Sequence, residues 1–367
     1  MHSNHDAKGG PVSGSPALPA GPEDRRKPSA PPYLTRQRFL AVNSMLLTML
    51  LVSLVAASLI GSIHVDLARA LDSTLTDNAD RIILFETRLP RVLLAAVVGA
   101  ALATAGVALQ GLLRNPLAEP HLIGVSGGAA LGAVLAVITV GRSAFLETWV
   151  LPVAAALGSL LSMAVIYRLA LVHGRLQPYV LLLAGVVYNA FAGALIMFVN
   201  SIADYYQAYG ILFWLMGSLA THSYRLVMTI GLYVLVGSLW LLMQTRQLNV
   251  LSLGEEAALQ LGVDVHRVRR ACFIGSALLV GAVVSVSGMI GFVGLIVPHV
   301  MRLLIGADHR LLLPASLLAG AIFLVWADTI ARTALGVVEI PVGVVTALCG
   351  GPFFVYLLKR EGTKAFG

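Results

Sequence analysis

The sequence predicts an all-α, polytopic membrane protein with ten transmembrane helices, and three observations support this fold class. Hydrophobic residues make up 58% of the 367 residues. Charged residues make up only 12%, about half of the roughly 25% that is typical of soluble domains. The apolar residues are gathered in runs of about 20, the length that a helix needs to cross a bilayer. The net charge of +7 is not accompanied by a basic, aromatic-rich helix, so we expect no nucleic-acid partner.

The first segment of the chain has a composition that cannot form a core. Residues 1–35 contain seven of the sixteen prolines and a short basic run. Such a composition is typical of disordered segments. We therefore predict a disordered cytoplasmic tail over 1–35 and a single ten-helix transmembrane domain over 36–367.

Ten apolar runs follow the tail, and each predicts a membrane span. The predicted spans are 39–62, 91–112, 122–140, 149–169, 179–200, 223–243, 270–288, 290–305, 312–332 and 342–358. With the N-terminus placed in the cytoplasm, 18 of the 25 Lys and Arg residues fall on the cytoplasmic side. This bias is the one expected of membrane proteins, and it predicts that both termini are cytoplasmic.

The sequence also contains an internal repeat. Residues 88–124 align with 270–306 when the sequence is shifted by 182 positions, and three glycines and one proline then coincide. The second copy starts five spans after the first, so the two copies cross the membrane in opposite senses. We predict an inverted repeat of spans two to five and seven to ten, an arrangement typical of transport proteins.

A short polar stretch, "SLGEEAALQLGVD" at 252–264, interrupts the apolar runs between spans six and seven. Ser252 and Glu255 have the spacing of a capping box, which predicts the start of a helix of about two and a half turns. Gly262 predicts its end, and Asp264 predicts the cap of the next helix. A helix lying on lipid is the alternative, but such helices are usually basic. We predict a docking helix for a cytoplasmic partner.

The chain lacks the phosphate-binding loop of an ATPase, since no Gly-Lys pair occurs in it. A transporter of this kind would need a separate ATPase subunit to supply energy. We expect no enzymatic activity, no cofactor and no metal site in this chain. Cys272 and Cys349 lie in apolar runs and are interpreted as small buried side chains.

Six stretches together resemble the FecCD-type permeases, the membrane subunits of binding-protein-dependent ABC importers for iron siderophores, haem and cobalamin. They are "TRLPR", "QGLLRNPLAEPHLIGVSGGAALG", "GEEAALQLGV", "GFVGLIVPHVMRLLIGADHRLLLP", "ADTIAR" and "EIPVGVVTALCGGPFF". The resemblance implies a homodimer in the bacterial inner membrane with a pathway at the dimer interface. It also implies two cytoplasmic ATPase subunits that hydrolyse ATP and a periplasmic substrate-binding protein, with membrane lipid around the spans.

The resemblance assigns roles to three groups of residues. The ATPase-docking positions are Gly254, Glu255, Glu256, Ala257, Ala258, Leu261 and Gly262. The positions that dock the binding protein are Arg88, Arg91 and Arg332, where guanidinium groups suit carboxylates; a local pair of Arg332 with Asp328 is the alternative. The residues expected to line the pathway are Asn189, Met197, Phe198 and Asn200.

The predicted cargo is an iron chelate, either a siderophore or haem, with cobalamin as the alternative. Two other classes of protein are the alternatives to an importer permease. An ion-coupled secondary transporter would carry titratable residues in mid-membrane, and the middles of these spans contain almost none. An intramembrane serine protease is suggested by "GVSG" at 124–127, but it would need a histidine in reach of Ser126.

Overall fold

The computed structural model describes residues 34–72, 78–140, 149–221, 223–336 and 338–365. The predicted tail lies outside the described residues except for its last two positions. Thr35 is one of these, and its side chain accepts a hydrogen bond from the backbone N–H of Arg38 at the start of span one.

The structure confirms the polytopic helical fold, and most helix ends lie within three residues of the predicted ones. Seven helices are long and apolar enough to cross a membrane, and three shorter apolar helices complete the ten predicted spans within the described residues. The spans are Arg36–Leu59, Leu89–Leu113, Val125–Val140, Leu151–Ala170, Pro178–Ile202, Tyr224–Leu242, Val265–Ser287, Val293–Ile305, His309–Thr333 and Val342–Ala365.

Several short elements connect the spans. The helical ones are Leu67–Leu71, Ala79–Arg81, the π-helix Ile82–Arg88, the 3₁₀ turn Pro120–Ile123, Tyr205–Leu215, Thr245–Leu251 and Glu255–Gln260. Two antiparallel two-residue strands, Leu171–Val172 and Arg175–Leu176, form a hairpin. Helix Tyr205–Leu215 was not predicted, although Asp204 and Gln207 form a complete capping box at its start.

Span two lies at the centre of the bundle. Its most apolar segment is 83% buried, whereas that of span one is only 11% buried. Small residues explain this position, because they let helix backbones approach closely. A Cβ atom added at Gly99 would lie 2.2 Å from the carbonyl oxygen of Gly320 in span nine, and one added at Gly106 would lie 2.1 Å from that of Gly294 in span eight. Both sites therefore require glycine.

The contacts between spans follow the predicted inverted repeat. Span two packs against spans eight and nine, and span seven packs correspondingly against spans three and four. The pairs three–four and three–five recur as eight–nine and eight–ten. The residue alignment that suggested the repeat does not match the helix ends at its midpoint, however. Gly106 lies inside span two, but its aligned partner Gly288 ends span seven with a φ of 66°.

The two cysteines differ in environment. Cys272 is buried in span seven, as predicted, but Cys349 in span ten is exposed. The second interpretation was wrong because span ten packs against the rest of the bundle on one side only, and apolar sequence alone does not show which face a membrane helix buries.

Candidate functional site

The short helix between spans six and seven, Glu255–Gln260, begins differently from the prediction. Its N-cap residue is Gly254, which has a φ of 120° and provides no side-chain hydrogen bond to the helix. Ser252 instead donates its hydroxyl to the carbonyl of Asn249 at 2.6 Å. The carboxylate of Glu255 pairs with Arg269 of span seven at 2.8 Å. The predicted capping box is therefore wrong, because a charged partner 14 residues away takes the glutamate.

The end of this short helix is as predicted. Gly262 has a φ of 78°, and its N–H donates to the carbonyl of Leu259 while the N–H of Val263 donates to that of Ala258, both at 3.0 Å. This pair of bonds defines a Schellman motif. Asp264 then caps span seven by accepting from the N–H of Arg267 at 3.0 Å. The helix has six residues, so it is shorter than the predicted two and a half turns.

The predicted docking residues lie on different faces of the short helix. Ala258 is fully buried and packs inside the permease, whereas Ala257 is half-buried. Leu261 is 63% exposed, and Glu256 and Gly262 are exposed too. Sequence reasoning missed Leu253 and Leu259, which are 69% and 55% exposed. The exposed surface around this helix thus contains three leucines beside Glu256, with Ala258 underneath.

Within the described residues, polar side-chain contacts connect this region to the bundle at two places. The first is the Glu255–Arg269 pair, in which Arg269 is only 5% exposed. The second involves Asn249, in helix Thr245–Leu251. Its amide donates to Asp308 at 2.6 Å, and its oxygen accepts from the backbone N–H of His309 at 2.8 Å. The short helix is therefore attached to span seven and, through the preceding helix, to span nine.

Asp308 is a firm anchor for this contact. It caps span nine by accepting from the N–H of Arg310 at 3.0 Å, and the Arg310 side chain donates to it as well. These hydrogen bonds from Arg310, together with that from Asn249, lower the pKa of Asp308 to about 2. The carboxylate is therefore ionised at any physiological pH, and its bond to Asn249 is charge-assisted.

The polar contacts continue into the bundle. Arg302 of span eight donates to the side-chain oxygen of Gln110 in span two at 3.0 Å, and the Gln110 amide donates to the carbonyl of Gly294 at 3.3 Å. Gly111 lies beside His309, since a Cβ atom there would be 2.9 Å from Nε2. Spans two, eight and nine thus meet next to Asn249. We call this side of the bundle the short-helix end.

The three predicted docking arginines lie at the opposite end of the bundle, which we call the arginine end. Arg91 contacts Asp328 through Nη2 at 3.0 Å and Glu339 through Nη1 at 2.7 Å. Arg332 lies 3.5 Å from the same Asp328 carboxylate. The local pair considered from sequence is therefore present, but Arg91 makes the closer contact. Asp328 is 1% exposed, whereas the Glu339 side chain is 54% exposed.

Arg88 has a different set of partners. Its guanidinium donates to the carbonyls of Ser58, at 3.3 Å, Leu59, at 2.9 Å, and Ile63. The carbonyls of Ser58 and Leu59 lie at the end of span one, where helix carbonyls have no partner within the helix, and Ile63 lies in the segment that follows. Gly61 leaves room for this contact, since a Cβ atom there would be 2.3 Å from Arg88 Nη2.

The three arginines surround one small cavity. It has a volume of about 140 Å³, and Arg88, Arg91, Arg332 and Glu339 line it. All three arginines are less than 10% exposed. With Asp328 below, three positive groups face two negative ones, so the cavity presents a net positive charge in which Glu339 is the accessible carboxylate.

The predicted pathway residues separate into two pairs. Met197 and Phe198 are 75% and 63% exposed on span five. Asn189 donates to the carbonyl of His121 at 2.9 Å, and its side-chain oxygen faces Gly127. The side-chain oxygen of Asn200 is also buried, and neither oxygen has a hydrogen-bond partner within the described residues. The asparagines therefore face the interior of the chain, and the other two residues face outward.

A sequence model of the FecCD transport family matches residues 48–360. The chain belongs to the FecCD transport family. It is 44% identical over 301 residues to the hemin transport system permease protein HmuU of Yersinia pestis, which is 82% of this chain and 90% of the relative. It is 45% identical over 285 residues to the vitamin B12 import system permease protein BtuC of Vibrio cholerae, which is 76% and 83% of the two chains.

A solved structure is similar in fold as well. An inward-facing metal-chelate type ABC transporter aligns with a TM-score of 0.75 and 36% identity, over 87% of this chain and 99% of that one. This FecCD protein is a multi-pass permease subunit of an ABC importer. The family implies a partner subunit that hydrolyses ATP and a substrate-binding partner. Membership thus favours the importer over the secondary transporter and the serine protease.

Proposed function

We propose that this permease carries an iron chelate, a siderophore or haem, from the periplasm to the cytoplasm across the bacterial inner membrane. The similarity to a hemin permease and to a metal-chelate type transporter supports this cargo. Cobalamin is the second candidate, because the vitamin B12 permease of Vibrio cholerae is equally similar to the chain.

The proposed orientation places the short-helix end, and both termini, in the cytoplasm. The distribution of Lys and Arg along the sequence supports it, with 18 of 25 on that side. The arginine end then faces the periplasm, where a soluble binding protein would dock.

The short helix is the proposed contact with the ATPase subunit. Its exposed leucines, Leu253, Leu259 and Leu261, provide an apolar surface of the kind that a groove in a partner would bury. The observation that carries this role is the pair of contacts behind that surface. A displacement of the short helix would act on span seven through Glu255–Arg269 and on span nine through Asn249–Asp308.

The cavity at the arginine end is the proposed contact with the binding protein. Guanidinium groups held in fixed positions match carboxylates well, and the net positive charge around the cavity favours an acidic partner. Since Arg88 and Arg332 also stabilise the bundle, their docking role would be carried mainly by charge.

We further propose a homodimer whose two copies enclose the pathway between their fifth and tenth spans. Exposed apolar side chains on these two helices support this arrangement. They include Phe191, Met197 and Phe198 on span five and Leu348, Val355 and Tyr356 on span ten. Asn189 and Asn200 would act on the pathway indirectly, by fixing span five.

The test is uptake by proteoliposomes that contain the permease, its ATPase and its binding protein. Iron-labelled siderophore, haem and cobalamin are supplied separately with ATP inside. We expect ATP-dependent uptake of an iron chelate. Uptake of cobalamin alone would select the second candidate, and uptake of any cargo without the ATPase would contradict the proposed mechanism.

A further inference from the structure

Spans six and seven border two adjoining cavities on the exposed side of the bundle. One has a volume of about 610 Å³ and an apolar lining that includes Leu232, Val236 and Leu278. The other has a volume of about 750 Å³ and lies closer to the short helix. Trp240 and Ile274 line both cavities, so the two form one continuous groove along the helix pair. We call it the six–seven groove.

Glycines keep the two helices close at the base of the six–seven groove. A Cβ atom added at Gly237 would lie 2.6 Å from Leu279 Cδ2, and one added at Gly275 would lie 2.8 Å from Leu241 Cδ2. Trp240 is half exposed, and its indole N–H donates to the carbonyl of Ala271 at 3.3 Å. Tryptophan in this amphipathic setting is typical of the level where lipid headgroups meet the acyl region.

The polarity of the groove changes along its length. The cavity of about 610 Å³, which we call the upper cavity, is almost entirely apolar. The cavity of about 750 Å³ near the short helix, which we call the lower cavity, is lined by Gln244, Gln247, Arg267 and Arg270. The two arginines are one helical turn apart and exposed, and neither side chain forms an ion pair in the part of the chain that the structure describes. Asp264 lies there too, which leaves a net positive charge.

We propose that an anionic phospholipid of the cytoplasmic leaflet occupies the six–seven groove. Its phosphate lies between Arg267 and Arg270, and an acyl chain follows span six past Trp240 and Val236. The cytoplasmic leaflet follows from the orientation in the proposed function, but the site itself does not depend on transport. A soluble partner could cover the lower cavity, but the apolar upper cavity suits an acyl chain.

This lipid would lie against a functional segment of the permease. The lower cavity is also lined by Gly262 and Val263, which end the short helix. A bound lipid would thus contact span six, span seven and the connection between the short helix and span seven. Lipid composition would then influence how the short helix is held.

The test is lipid retention by the purified full chain, measured by native mass spectrometry after exchange into phosphatidylglycerol or phosphatidylcholine. We expect wild type to retain phosphatidylglycerol preferentially. A basic residue near the membrane surface contributes about fivefold to affinity for anionic lipid. The R267Q/R270Q variant should therefore lose about thirtyfold in retention. The R168Q variant changes an exposed arginine at the end of span four, on the same side of the bundle as the short helix. This variant should retain phosphatidylglycerol normally.

Three results would overturn the proposal. The first is equal retention of the two lipids by wild type, and the second is unchanged phosphatidylglycerol retention by R267Q/R270Q. The third is displacement of the lipid by the ATPase subunit or by inorganic phosphate, which would assign the arginines to a protein interface or a simple anion site. Lipid retention is measured without cargo or ATP. A failure of the proposed transport function would therefore not change the result of this assay.

Discussion

At the arginine end, three guanidinium groups lie inside the bundle against oxygen atoms that hold them in place. At the short-helix end, the surface contains three exposed leucines beside Glu256, and the polar contacts lie beneath it. This contrast determines what kind of partner each end would bind. The arginine end offers charge that is already oriented, so it suits a partner that arrives and leaves. The short-helix end offers apolar area with a mechanical connection below, which suits a partner that stays bound and moves.

The largest expected effect comes from removing the buried carboxylate at the arginine end. Asp328→Asn would leave Arg91 and Arg332 without their shared counter-charge, since Asp328 contacts both and is 1% exposed. Breaking a buried ion pair from one side costs about 3–5 kcal/mol. We expect a strong loss of folded protein, measured by thermal unfolding in detergent.

The matched control for this variant is Thr333→Ala, because Thr333 lies at the same end of span nine and its hydroxyl donates to the carbonyl of Thr329 within the same helix at 2.7 Å. That variant should unfold close to wild type. A stable Asp328→Asn protein would mean that the arginines keep their positions through backbone contacts alone, and the contrast between the two ends would weaken.

The next effect tests the connection below the short helix. Asn249→Ala removes the bonds to Asp308 and His309, and hydrogen bonds to charged groups contribute about 1.5–3 kcal/mol. We expect ATP hydrolysis to continue while uptake per ATP falls about tenfold, a loss of about 1.4 kcal/mol of coupling. Both rates are measured in the same proteoliposomes.

Arg246→Ala is the control for this experiment, since Arg246 lies exposed on the same helix, Thr245–Leu251. It should couple normally. Equal loss in both variants would assign the effect to the helix as a whole, and normal coupling by Asn249→Ala would remove span nine from the proposed transmission.

These contacts also mark where sequence reasoning succeeded and where it stopped. The spans could be predicted because the length of an apolar run reflects the thickness of a bilayer. Gly262 and Asp264 could be predicted because helix ends are determined by neighbouring residues. Asn249 and Glu339 could not, because their partners lie 59 and 248 residues away in the chain.

The errors have the same physical origin. The capping box at Ser252 and Glu255 is a correct local pattern, but an arginine of span seven competes for the glutamate. Ala258 was expected on the outer face, and its burial depends on how the short helix packs against span seven and the preceding helix. Helix Tyr205–Leu215 had a local signal in Asp204 and Gln207, which could have been recognised from the sequence.

A smaller effect is expected at the leucine surface. Leu259→Ala removes most of a side chain that is 55% exposed. If the ATPase buries it, about 1 kcal/mol of apolar contact is lost, which is less than the 1.5–3 kcal/mol for a leucine that is fully transferred from water. We expect ATPase binding to weaken about fivefold, measured by titration of the labelled subunit.

Leu169→Ala is the control, because Leu169 is 58% exposed near the end of span four but lies outside the short helix. Unchanged binding by Leu259→Ala would indicate that the ATPase does not use this surface. Similar weakening by both variants would show a non-specific effect of surface hydrophobicity.

The smallest expected effect is on docking of the binding protein at the arginine end. Reversing the charge of Arg88 would test docking poorly, because Arg88 binds two carbonyls at the end of span one and that of Ile63 just after it, and its loss would disturb the bundle. Glu339 is the better choice, since its half-exposed carboxylate occupies the outer nitrogen of Arg91 at 2.7 Å. A carboxylate of the binding protein would compete for that nitrogen. Glu339→Gln should therefore tighten docking.

The expected gain is about two- to fivefold, since exposed ion pairs contribute up to about 1 kcal/mol. It is measured by titrating the binding protein onto the permease at low and high salt. The gain should shrink at high salt, because screening weakens interactions between exposed charges. Glu86→Gln changes the same net charge at an exposed position near the same end, and it separates a general charge effect from local competition. Weaker docking by Glu339→Gln would mean that Glu339 positions Arg91 for the partner. The position of the Arg91 guanidinium would then depend on both Asp328 and Glu339.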